Sequence, residues 1–172
     1  MPKSSNPKPS KPITLTTGPV WRNPNTERVV VNVLNVSDKP QTVTVSVIDR
    51  TNCLNQETAK MAFICGAPAT PVGIQPSVSS CDPLSDPTCN AVPVTFTISP
   101  QSTLAVHAFF SSPFLPGAPM FEARVTGPFS ASSIYPPNPC RISMVGIDTA
   151  GVPQIGNVFN MPDFVVTPPS PV

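Results

Sequence analysis

From Thr42 to Val47 polar and apolar residues alternate without a break, with Thr42, Thr44 and Ser46 on one side and Val43, Val45 and Val47 on the other. Strand side chains point to opposite faces in turn, so this period of two predicts a half-buried β-strand. The run 28–36 before it is rich in valine and places Val29, Val31 and Val33 on one face. Ser37-Asp38-Lys39-Pro40 between the two runs is a turn cluster, and the whole reads as a hairpin. The same reasoning predicts strands at 13–17, 94–98, 104–110, 120–125 and 141–148, with shorter ones at 61–64, 158–159 and 164–166. Within 120–125, Phe121, Ala123 and Val125 are expected to face inward and Glu122 and Arg124 to face water. Val20-Trp21 is expected to tuck its ring under a turn built from Asn23-Pro24-Asn25.

Helices are not expected. Proline removes a backbone donor and breaks helix interiors, and 26 of the 172 residues are proline. Short strands with frequent turn signals predict an all-β chain, a single β-sandwich or jelly roll with an Ig-like sandwich as the alternative. Residues 13–166 read as the sandwich domain, preceded by an extended Pro/Lys/Ser-rich arm at 1–12 and followed by a Pro-rich tail at 167–172. Residues 51–92 read as a long Cys- and Pro-rich insertion, a length that calls for a staple or a function. No apolar h-region follows Met1 and no run approaches 18 apolar residues. The sequence therefore predicts neither a secretory leader nor membrane insertion.

Charge changes the picture. Only 11% of residues are charged, against about 25% in an ordinary soluble domain, and the net charge is +1. No global field would attract nucleic acid or an anionic membrane, and little charge repulsion keeps copies of the chain apart. The three lysines of the arm are too sparse, and too free of interleaved aromatics, for nucleic acid. Assembly with itself is the expectation.

Candidate chemistry is thin. His107 is the single histidine, and it sits in a strand with no Gly-x-Ser-x-Gly elbow or Cys-His signature beside it. It reads as an exposed strand residue, so no enzyme is expected. Asp82 and Asp86 share a loop without the repeated ligands of a calcium site and read as turn formers. Cys53, Cys65, Cys81, Cys89 and Cys140 lie in polar, Pro-rich surroundings that suit disulfides. Their C-x11-C-x15-C-x7-C spacing fits no zinc finger. The pairing stays open, and since five is odd, Cys140 is a candidate for a bond between subunits, a free thiol or a partner of the loop. No metal or cofactor is expected. Asn35-Val36-Ser37 is a glycosylation sequon, and Pro9-Ser10-Lys11-Pro12 a Pro-x-x-Pro match that is frequent in Pro-rich tails.

An open sandwich ends in unpaired edges that invite another chain. Ile13, Leu15 and Thr17, directly after the arm, are candidates for a strand donated to a neighbour, with pairing inside their own sandwich as the alternative. Thr17-Gly18-Pro19-Val20-Trp21, the run 28–35, Thr42-Val43-Thr44-Val45 and Ser99-Pro100-Gln101-Ser102-Thr103 together resemble small β-sandwich proteins of spore-forming Gram-positive bacteria, among them surface and appendage (pilus-like fibre) subunits of endospores. The resemblance implies a leaderless jelly-roll subunit at the spore or another extracellular surface, polymerised through an N-terminal extension and often locked by disulfides. The first 52 residues here contain no cysteine, so a covalent lock through this arm does not carry over. The expectation is a self-assembling fibre or coat subunit whose partner is itself and, by extension, another surface-layer protein. A viral capsid or decoration jelly roll and an Ig-like binding or adhesion module are the alternatives, with a hydrolase behind them.

Overall fold

The structure, a computed structural model, describes residues 11–51, 55–73, 90–110, 119–130 and 138–167. Among these residues thirteen strands lie in two antiparallel sheets. They are β1 (Ile13–Thr16), β2 (Val20–Trp21), β3 (Arg28–Asn35), β4 (Gln41–Asp49), β5 (Gln56–Glu57), β6 (Ala59–Ile64), β7 (Ala67–Pro68), β8 (Val94–Ile98), β9 (Thr103–Phe109), β10 (Met120–Gly127), β11 (Cys140–Ile147), β12 (Pro153–Asn160) and β13 (Val165–Val166). Helical backbone among the described residues is confined to the 3-10 turn Met161–Asp163 and the single position Thr51.

The order of pairing distinguishes the jelly roll from the Ig-like alternative. Ile64 faces Ala67 at the tip, Val43 faces Phe96, Val31 faces Val106, and Leu15 faces Val125. These are nested pairs of one long hairpin, β6·β7 innermost and β1·β10 outermost. Rolling that hairpin on itself brings β10 against β4 and β6 against β9, which splits it into the sheets β1-β10-β4-β8 and β3-β9-β6-β7. That is jelly-roll winding, two interlocked Greek keys. The chain then adds β11 and β12 beyond β3 and returns β13 to the edge beside β1.

The alternation of the sequence explains why the sheets close on each other. On the first sheet Leu15, Val125, Val45 and Val94 stand in register across four strands; on the second Met144, Val31, Val106 and Ala62 do the same. All eight are buried and belong to one core, with Phe96, Phe121 and Phe164 filling it. Shifting one strand by a residue would turn its valines to water, so burial holds the register. On the outer face of the first sheet the same registers align Thr14, Thr126, Thr44 and Thr95. Thr14 and Thr126 hydroxyls are 2.7 Å apart, those of Thr44 and Thr95 2.9 Å.

Three expectations need correction. Within the 51–92 segment, where the pattern predicts one short strand at 61–64, residues 56–68 supply three, β5, β6 and β7, with Ala62 in the core. Trp21 is not tucked in: it is 63% exposed. Arg22 is buried instead, its guanidinium 4.7 Å from the centre of the Phe110 ring. Alternation continues from β2 into the residue that follows it, so placing Arg22 inward sends Trp21 outward. Glu122 lies on the outer face as expected but is enclosed there, because Arg50 and Arg124 fold over it.

Candidate functional site

Several polar and reactive side chains of the described residues form candidate sites. The first surrounds Glu122 on β10, which is 4% exposed. Its Oε1 accepts from Thr16 Oγ1 at 2.7 Å and from Arg124 Nε at 2.6 Å, and its Oε2 accepts from Arg50 Nε at 2.9 Å and from Arg50 Nη2. Burial pushes this carboxyl up, but the bonds from Arg124, Thr16 and Arg50, with the charge of Arg124, outweigh it and hold the pKa at about 2. A carboxylate so thoroughly bonded is a poor general base, and its role is to tie β1, β4 and β10 together.

The second is Lys60 on β6, turned into the sandwich in step with Ala62. Its Nζ donates to Glu57 Oε2 at 2.5 Å, Thr58 O at 2.8 Å and Val92 O at 3.1 Å. Burial lowers its pKa, and the Glu57 bond and charge oppose that shift. The strand predicted from the sequence begins at Met61, so the pattern does not mark Lys60 as inward, and its partners arrive from β5, Thr58 and Val92.

Two asparagines form polar anchors that sequence reasoning did not single out. Asn35 donates through Nδ2 to the carbonyls of Lys39 at 2.8 Å, Ile98 at 3.0 Å and Ser99 at 3.1 Å, and it is fully buried. The sequon at Asn35 is therefore a fold anchor rather than a glycan acceptor in the folded chain. Asn157 on β12 donates to Trp21 O at 2.8 Å and accepts from Asn23 N at 3.0 Å and Thr26 Oγ1 at 2.8 Å. It pins β2 and the 22–26 turn to the outermost strand of the second sheet.

His107 on β9 lies half-buried with its ring edge-on to Phe63, centroids 5.3 Å apart. Burial lowers its pKa, and the nearby charge of Arg28 lowers it further. Among the described residues no carboxylate or nucleophile is hydrogen-bonded to it.

Of the cysteines, Cys53, Cys81 and Cys89 lie outside the described residues, as do Asp82 and Asp86. Cys65 and Cys140 carry free thiols. Cys65 sits exposed in the two-residue turn between β6 and β7 at φ 49°, followed by Gly66 at φ 84°. Bonds from the Thr103 backbone and the Ser102 side chain lower its pKa. Cys140 begins β11 inside the core, where desolvation pushes its thiol up to about 11. Of the three roles open to Cys140, a bond between subunits does not suit a buried thiol; β-pairing to Asn35 draws it inward.

Ile13, Leu15 and Thr17, candidates for donation to a neighbour or for pairing inside their own sandwich, pair in their own chain. Ile13 faces Gly127 and Leu15 faces Val125 on β10, the Thr17 amide donates to Ala123 O at 3.0 Å, and β13 covers the other side of β1. The open edges lie elsewhere. β12 ends the second sheet with eight residues, none of them charged. Beside it Trp21, Val152, Ile155, Val158, Val165 and Val166 are exposed.

Among the described residues no three His, Cys, Asp or Glu side chains cluster to hold a metal, and no helix is long and apolar enough to cross a membrane. Comparison of the chain with known protein families, with characterised proteins and with solved structures finds no match in any of the three.

Proposed function

We propose that this chain is a non-enzymatic structural subunit that assembles with copies of itself into a fibre or coat at a spore or other extracellular surface. The observation that carries the reading is the edge strand β12, which is eight residues long, uncharged and without a further strand beyond it among the described residues. Soluble monomers blunt such edges with lysine, proline in mid-strand or a covering segment. Among the described residues β12 carries Pro153 at its start, a bulge near Gly156 and the 22–26 turn against part of its length, and no lysine. Low charge over the whole chain supports the same reading, since copies meet little repulsion. Donation of β1 is the costlier route: it would strip Leu15 from the core, a loss of roughly 1.5–3 kcal/mol of side-chain burial before any new ladder forms.

A second reading, a jelly-roll shell or decoration protein of a virion, is favoured by the nested pairing of the strands. Negative-stain microscopy of the purified chain at high concentration separates the two. Filaments or sheets support the first, closed shells the second, and particles that stay single at every concentration overturn both.

A further inference from the structure

We propose that a depression on the outer face of the second sheet, between β3, β11 and the turn Met161–Asp163, binds a small molecule that carries one carboxylate on a compact apolar body. The depression holds about 320 Å³, at the lower end of the range for small-molecule sites. Strand register builds it. Ser143 of β11 faces Asn32 of β3 on one side and Asn160 of β12 on the other, and Arg141 faces Leu34. Val31, Val33, Ile142 and Met144 belong to the core, so alternation turns Asn32, Leu34, Arg141 and Ser143 to the outer face.

The polar side chains there are uncommitted. Among the described residues Asn32, Arg141 and Ser143 make no side-chain hydrogen bond or ion pair. Elsewhere in the fold such groups are in use: Asn35, Asn157 and Glu122 each hold several parts of the chain together. Neighbouring strands lie about 4.8 Å apart and alternate residues of one strand about 7 Å apart. The Arg141 guanidinium therefore reaches a group held by Ser143 and Asn32. Leu34, Met161 and Pro162 supply an apolar wall beside them.

Charge selects the ligand. The lining contains one guanidinium and no carboxylate. Asp163, in the turn that forms the wall, is engaged as a cap and accepts from Asn160 N at 2.7 Å. A planar carboxylate takes two parallel bonds from a guanidinium fork, and its single charge matches the single cation. A phosphate monoester, close to two charges at neutral pH, would leave charge unmatched. The Asn32 amide and the Ser143 hydroxyl complete the donors to the carboxylate, and the wall takes the apolar body.

Equilibrium dialysis of the full chain against benzoate, benzamide and phenyl phosphate measures the binding, with each variant's fold checked by circular dichroism. Benzoate should bind saturably and about tenfold more tightly than either of the others, the difference a charge-assisted bond supplies. Arg141→Gln, at an exposed position, should weaken benzoate about tenfold or more, and Ser143→Ala several-fold. Lys11→Gln, which removes the same charge ahead of β1 on the other sheet, should bind as wild type. No saturable benzoate binding, equal binding of benzamide, tighter binding of phenyl phosphate, or Arg141→Gln and Ser143→Ala chains that bind benzoate like wild type overturns the proposal. Should sedimentation show Arg141→Gln weakening assembly while the wild-type chain leaves benzoate unbound, the proposal also falls, and the depression seats an acidic side chain of another copy.

Discussion

Glu122 shows how a single residue couples this fold to pH. Its folded pKa of about 2 lies below the ordinary 4.5, so its stabilising bonds are fully present above pH 4.5 and are lost as pH falls toward 2. The effect is on the order of 2 kcal/mol. Denaturant midpoints measured at pH 7, 4 and 2.5 should fall along that limb, and Glu122→Gln should be less stable at pH 7 with a flatter acid limb. Gly146 is a steric counterpart. A Cβ there would lie 2.7 Å from Asn157 Cβ and 3.0 Å from Thr26 Cγ2. Gly146→Ala is expected to cost about 1–3 kcal/mol in thermal or denaturant unfolding, because β12 must move away from β11 to make room. Thiol chemistry divides the two described free cysteines: in the native chain an alkylating reagent should modify Cys65 and spare Cys140 until denaturant is added, read by peptide mass mapping. Exposure and a lowered pKa favour the first thiolate, burial and a raised one suppress the second.

At the level of elements, β12 departs most from a regular strand. Its register against β11 slips between Val145 and Ile147, and Gly156 takes φ 81° with no atom near its absent Cβ. The slip lets Asn157 turn inward under β2 while Ile155 projects to water. Gly156→Ala therefore meets no clash and should lose only the cost of left-handed backbone, about 1–2 kcal/mol. Hydrogen exchange should localise that loss to β12 and β2. Only 158–159 of this strand was visible as a pattern, because Pro153, Gly156 and Asn157 interrupt the alternation. The central strands behave differently. β3, β4, β8, β9 and β10 lie within two residues of their expected bounds, since each fills one row of the core.

For the whole molecule, the closed core and the open side divide the labour between folding and contact. Cys140 belongs to the core, so a Cys140→Ser chain should assemble at the same concentration as wild type and give the same particles in negative stain. A loss of assembly on that change, with the fold intact by circular dichroism, would restore a covalent role for this thiol.

Alternation along the chain by itself determined the all-β class, the inward valines and the main strands, because a period of two has one buried solution per strand. It also showed the scarcity of charge. What only the tertiary structure decided is which strands become neighbours and which polar groups are enclosed. The jelly-roll winding, the Glu122–Arg50–Arg124 cluster, the burial of Lys60 and Asn35, and the outward turn of Trp21 all depend on partners many residues away. A local pattern records which face a side chain takes, whereas the cost of burying its charge is settled by groups that only the closed sandwich brings within reach.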